Sequence, residues 1–227
     1  MESQRLKTLL AARKALLRRR IDLENEVRGL LKVYGVRLPA QIYHAHFDDM
    51  AHQALMVDPS LGEALDPLLE VRNHLYRAFL DLDRRVKALA NADPICRLLM
   101  SAPGVGYIAA LTFKAAVDDP KRFRRSKTVA AHFGLTPRRY QSGERDNPGR
   151  ISKAGDVDVR TALFLAANTI MNGRGKSSPL RRFGARLSRT KGRRRALVAV
   201  ARKLAVVLHT MWTDGTMYRS TEKEAAA

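Results

Sequence analysis

The chain has 227 residues, 45% of them hydrophobic and 28% charged, which supports one or two domains with real cores and excludes an intrinsically disordered chain. Its formal charge of +20 is uneven: residues 1–93 carry 15 Lys/Arg against 13 Asp/Glu, residues 94–227 carry 27 against 9. A field of that sign attracts polyanions, nucleic acid before anionic membrane, and no apolar run in the sequence is expected to approach the ~20 residues that span a bilayer. A single cysteine, Cys96, cannot close an internal disulfide, so a cytoplasmic setting is expected, with Cys96 itself a small buried residue beside Leu98 and Leu99.

In chain order, residues 3–33 read as one long helix. Leu9, Leu16, Leu23 and Leu30 recur every seven residues, and Leu6, Leu10, Leu17, Ile21, Val27 and Leu31 widen the stripe. Residues 61–91 repeat the pattern with Leu61, Leu65, Leu68, Leu75, Phe79, Leu82, Val86 and Leu89, and Arg72 breaks the seam. Two such helices predict an antiparallel coiled-coil hairpin or one arm of a homo-oligomer. The connector, 34–60, holds His44, His46, Asp48, Asp49 and His52, but the His-x-His spacing matches no common zinc site, and a polar connector is the expectation.

Asp93-Pro94 punctuates the chain, giving an expected helical arm, 1–92, and a second domain, 93–227. There "ICRLLMSAPGVGYIAALTFKAAV" reads helix, turn, helix; apolar elements follow at 126–134, 158–171 and 195–212, and a small β-hairpin is expected around 138–153. The fold class is mainly α. In the Pro103-Gly-Val-Gly106 turn, Gly104 and Gly106 would let backbone N–H groups approach a phosphate in a helix-hairpin-helix manner; an ordinary helix–helix turn has the same residues. The cationic runs "KRFRRSK", with Arg124 and Arg125, and 181–195, with Arg193, Arg194 and Arg195, have ten basic and no acidic residues between Arg181 and Lys203. Such one-sign runs are expected to face a nucleic-acid backbone.

The stretch Arg138–Gly155, "RRYQSGERDNPGRISKAG", exposes Ser142 and Ser152 among Arg138, Arg139, Arg145, Arg150 and Lys153. These cations could neutralise a phosphodiester, and Ser142 could attack it. A serine nucleophile needs a proton acceptor, though, and Glu144 and Asp146 beside arginines are poor bases. Serines that only hydrogen-bond phosphate, or Ser152 as a cap of the next helix, are the alternatives.

The ordered series Pro-Gly-Val-Gly at 103, Arg-Phe near 122, Gly-Leu-Thr-Pro at 134, Ser-Gly at 142, Ile-Ser-Lys-x-Gly at 151 and Arg160, with the helical region from Glu2, resembles the insertion-sequence transposases of the IS110 family over most of residues 2–212. The resemblance implies a DNA recombinase whose C-terminal domain supplies a serine that joins to DNA phosphate. Ser142 matches that serine and Ser152 is the fallback; Gly143, Lys153, Gly155 and Arg160 fall on the same pattern and imply loop shape or a phosphate grip. It further implies a structured guide RNA, DNA as substrate, assembly of several subunits, and a preceding RuvC-like domain with acidic residues for Mg²⁺. This sequence begins at the helical arm. The expectation is therefore a truncated copy, or a partner domain on another polypeptide, with no cofactor held by this chain and no cutting by the chain alone. A non-catalytic helix-hairpin-helix binding protein is the competing expectation.

Overall fold

No proline interrupts residues 2–33, and the chain is helical throughout that stretch. The computed structural model of the chain describes residues 2–39, 46–56, 59–142, 145–173 and 178–219, and the backbone alone for Ala54, residues 139–142 and residues 145–149. His44, Gly143 and Glu144 lie outside the described residues. Among the described residues the protein is mainly α, with one small sheet. The elements are α1 (Glu2–Val33), α2 (Phe47–Leu55), α3 (Gly62–Ala92), α4 (Pro94–Met100), α5 (Tyr107–Val117), α6 (Ser126–His132), β1 (Pro137–Ser142), β2 (Arg145–Ile151), α7 (Val157–Asn172), α8 (Pro179–Lys191) and α9 (Arg193–Asp214). Contacts divide the chain into two units, residues 9–85 and residues 1–8 with 86–227.

Within residues 9–85 the seam differs from the leucine heptad that the sequence advertises. The buried residues of α1 are Arg20, Glu24, Val27 and Leu31, whereas Leu9, Leu16 and Leu23 are half-buried and Leu30 is exposed. On α3, Leu65, Leu69 and Arg72 are buried, while Leu68, Leu75 and Leu82 lie on the flank. Arg13 pairs with Asp83, the Arg20 guanidinium lies 5.4 Å from the Tyr76 ring, and Arg72 Nη2 donates to Glu24 Oε1 at 2.8 Å. As the α1 partner advances the α3 partner retreats, so these stretches run antiparallel.

Arg72 is therefore the centre of the seam and not a break in it. Its Nη1 also reaches Asp48 of α2 at 3.4 Å, and its guanidinium lies 5.1 Å from the Phe47 ring. Burial of the charge is tolerated because carboxylates and ring faces replace its water. Phe47, Ala51 and Leu55 close the apolar end with Val27, Leu31, Leu61, Leu65 and Leu69, so residues 47–55 of the expected polar connector form a core helix.

In the unit of residues 1–8 and 86–227, α9 is the axis against which α4, α6, α7 and α8 pack. It buries Ala196, Leu197, Val200, Ala201, Leu204, Ala205, Leu208 and Met211. By length and composition α9 is apolar enough to cross a membrane, contrary to the expectation from raw hydropathy. The apolar face is already used by the surrounding helices. Asp93 starts α4 as its N-cap, accepting from Cys96 N at 2.8 Å with Pro94 in the first turn, where a missing N–H costs nothing. Cys96 is fully buried, and burial, with Asp93 beside it, pushes its thiol up to about 12.

Candidate nucleic-acid interface

The turn after α4 is built around Gly104. Its φ is +75°, and a Cβ there would stand 2.5 Å from the Ala166 carbonyl oxygen and 2.9 Å from Ile170 of α7. Gly104 thus lets this turn press onto α7, a packing role that its sequence context does not reveal. Gly106 differs: it is exposed, a Cβ there would meet nothing within 4 Å, and it precedes the first turn of α5, where backbone N–H groups have no helical acceptor.

The stretch 138–153 is mostly a β-hairpin. β1 and β2 pair antiparallel with Pro137 opposite Ile151, Arg139 opposite Pro148 and Ser142 opposite Arg145, with a register shift between Pro137 and Arg139. The strand rise places Ser142 roughly 17 Å from Pro137, at the tip, while Ser152 and Lys153 belong to the base. The side chains of Ser142 and Arg139 lie outside the described residues. The linear sequence suggests one pocket of Ser142 with Arg138 and Lys153; the hairpin separates its backbone positions.

The base is tightly bonded. Ser152 N donates to Thr136 O at 2.9 Å, Lys153 N to Gly134 O at 3.1 Å, and Arg138 Nη2 to Ser152 O at 3.2 Å. Arg160 Nη1 donates to the carbonyls of Phe133 (3.3 Å), Ala154 (2.6 Å) and Gly155 (3.0 Å). A Cβ on Gly155, whose φ is +75°, would meet His132 O at 2.2 Å. Arg160 is thus a clamp on the loop between β2 and α7. Lys153, itself at φ +57°, stays exposed beside it. Ser152 Oγ accepts from Ala154 N at 3.4 Å, and the cap of α7 is Asp156, which accepts from Asp158 N and Val159 N, so Ser152 does not cap that helix.

The cationic runs occupy two places along α9. Arg124 and Arg125 are exposed in the turn leading into α6, with Lys121 and Lys127. That turn is tied to the far part of α9 by His209, which is buried: its Nε2 faces Pro120 O at 3.0 Å and its Nδ1 faces Ser126 Oγ at 3.0 Å. A carbonyl can only accept, so Nε2 donates its proton to Pro120 O. Eighty-three residues separate His209 from Ser126, and nothing in the sequence signals the pair.

Arg193, Arg194 and Arg195 are exposed in the first turn of α9. Cations repel the positive end of a helix dipole, so an anion there relieves an unfavourable arrangement. From residue 193 to residue 209 α9 rises ~24 Å, about seven nucleotide steps of duplex. Arg193 is further oriented by α7, its Nη2 donating to Asn168 Oδ1 at 3.1 Å and Asn172 Oδ1 at 2.5 Å. The i, i+4 asparagines are legible in the sequence, their arginine partner is not.

Among the described residues no three His, Cys, Asp or Glu side chains come together to hold a metal ion. Several carboxylates are already committed: Glu24 and Asp48 to Arg72, Asp83 to Arg13, Asp93 to Lys114. Among the described residues these four carboxylates are held by cations and do not form a cluster for Mg²⁺.

Residues 96–183 match the model of the transposase IS116/IS110/IS902 family. The chain is 32% identical over 223 residues to the transposase for insertion sequence element IS1111A of Coxiella burnetii, covering 96% of this chain and 61% of that protein. It is 30% identical over 223 residues to a probable family 20 transposase of Pseudomonas aeruginosa, covering 96% and 66%. An insertion element IS110 uncharacterized 43.6 kDa protein of Streptomyces coelicolor is 28% identical over 219 residues, covering 92% and 50%. The chain belongs to the IS116/IS110/IS902 transposase family. It spans between half and two thirds of the length of these curated relatives.

Proposed function

We propose that this chain is the nucleic-acid-gripping part of a transposition machine, with DNA as substrate and a structured guide RNA as a second polyanionic partner. The single observation behind the reading is the pair of exposed cationic clusters, Lys121–Lys127 and Arg193–Arg195, held along one helix of a unit poor in acids. Arg124, Arg125, Arg194 and Arg195 neutralise phosphates, and the N–H groups beyond Gly106 bind another. Lys153 and Arg138 border the hairpin base; Arg160 holds that base in shape.

Ser142 is the nucleophile of the intact reaction, presented on the hairpin tip so that groups from elsewhere complete its site. Its hydroxyl oxygen attacks a phosphodiester phosphorus, its proton passes to a base, and the departing sugar oxygen is released as a hydroxyl. The base and any Mg²⁺-binding carboxylates come from outside the described residues, and subunits associate through the helical arm. Alone, the chain binds and does not cut.

The test is a trapping experiment. The chain is incubated with end-labelled insertion-sequence DNA, Mg²⁺ and the region of a longer relative that this chain does not span, then denatured. A protein–DNA adduct lost in Ser142→Ala and kept in Ser152→Ala supports the reading. An adduct lost only in Ser152→Ala moves the nucleophile to the hairpin base, and a chain that retains no DNA contradicts the proposal.

A further inference from the structure

The face of α7 turned away from the core is unlike the rest of the basic surface. At 100° per residue, Val157, Thr161, Phe164, Leu165, Asn168 and Asn172 share one arc, opposite the buried Val159, Leu163, Ala166 and Ile170. Val157 is 60% exposed, Leu165 59% and Phe164 39%. The strip runs from the clamped hairpin base, where Arg160 sits, to the arginines that open α9.

Its polar end is oriented by hydrogen-bond bookkeeping. Asn168 Oδ1 accepts from both Arg193 Nη2 and Asn172 Nδ2, and Asn172 Oδ1 accepts from Arg193. Both amide oxygens are engaged by this trio. What remains to offer outward is chiefly donors: the NH₂ of Asn168, the second N–H of Asn172 and the other N–H groups of Arg193. An apolar, partly aromatic patch next to a donor array beside three arginines is complementary to a ligand with flat apolar faces, acceptor edges and negative charge. Asp158, at the other end of the arc, is the acid that borders it.

We infer that this face of α7 contacts unpaired nucleotides, with bases lying on Phe164 and Leu165 and acceptor edges or phosphate at Asn168, Asn172 and Arg193. Base-on-aromatic contact requires a face that a paired, stacked duplex does not expose, so the occupant is a single-stranded segment. The inference deepens the nucleic-acid reading above and rests on it. It assigns contact with bases to Phe164 and Leu165, on a surface that adjoins the Arg193–Arg195 cluster.

The experiment uses the full chain and two fluorescent oligonucleotides of mixed sequence, one single-stranded and one duplex, read by anisotropy. Phe164→Ala is expected to weaken single-strand binding about 5–10-fold and duplex binding less than 2-fold; Leu165→Glu, at a well-exposed position, is expected to weaken single-strand binding at least 10-fold. Photocrosslinks from a 5-iodouracil single strand are expected in the tryptic peptide 161–174. Unchanged single-strand affinity in both variants, with duplex binding intact, overturns the strip and leaves the phosphate-binding reading standing. A change in solution mass on Phe164→Ala, with affinity unchanged, also overturns it, making the face a protein interface. Failure of the unsubstituted chain to bind either oligonucleotide removes the ground for both.

Discussion

The Arg72 guanidinium holds one oxygen of Glu24 with two nitrogens, Nε at 3.0 Å and Nη2 at 2.8 Å, inside a seam where both side chains are buried. Arg20 lies alongside, 3.7 Å from the same carboxylate oxygen, and burial lowers its pKa against the opposing pull of Glu24. One carboxylate therefore serves two buried cations, with Asp48 as a fourth participant. Removing it strands charge in a dry place. Glu24→Gln is expected to destabilise the unit of residues 9–85 by about 3–5 kcal/mol, measured by urea unfolding. The double variant Glu24→Leu with Arg72→Leu is expected to cost less than the sum of the single changes.

Asp93 and Lys114 predict a specific acid sensitivity. Burial works to raise the Asp93 carboxyl, but the Lys114 ammonium and the Cys96 N–H outweigh it and hold it below the usual carboxylate range. A carboxyl lowered on folding contributes stability above its unfolded value, near 3.9, and that contribution is lost as pH falls through the folded value. Asp93→Asn is expected to lower stability at pH 7 by about 1 kcal/mol, since Asn keeps the cap but loses the charge pair with Lys114. Its unfolding free energy is also expected to fall less steeply than that of the unsubstituted chain below pH 4.

The clamp at the hairpin base gives a prediction that separates shape from charge. Arg160→Lys keeps the cation but cannot reproduce a planar group facing three carbonyls. Amide exchange at residues 152–156 is expected to accelerate at least tenfold, with little change in the salt dependence of DNA binding. Gly155→Ala forces a Cβ onto His132 O and a left-handed φ on a substituted residue, so the same amides are expected to lose protection, at a cost of about 1–3 kcal/mol from the backbone alone. A salt slope reduced by about 0.9 with Arg160→Gln, which removes the charge, would show that the residue meets phosphate itself.

Long helices are legible because Leu spacing at three and four residues is a strong signal, α9 among them, and the turn after Met100 is legible from its Pro-Gly-Val-Gly. Which leucines face inward is not. Arg13, Arg20, Glu24 and Arg72 carry the seam through mutual pairing, and hydropathy scores each of them as a break. α2 reads as connector because its Phe47, Ala51 and Leu55 are scattered among His and Asp. α8 shows in the sequence only as a basic run; its helical start rests on Ser178 accepting from Arg181 N, with Pro179 in the first turn. At the candidate site, residue types are visible and partners are not. Arg160 and Lys153 lie close in sequence and differ in role, and His209 reaches Ser126 across the fold.

The most direct measurement of the central claim is the salt dependence of duplex binding by anisotropy, comparing the chain with a variant in which Arg124, Arg125, Arg194 and Arg195 are all alanine. Each phosphate neutralised adds about 0.9 to the slope of log affinity against log salt concentration. The account predicts a steep slope for the unsubstituted chain and a slope lower by about 3–4 in the variant, with unchanged helical content. A shallow slope in the unsubstituted chain, or an equal slope in both, would contradict it.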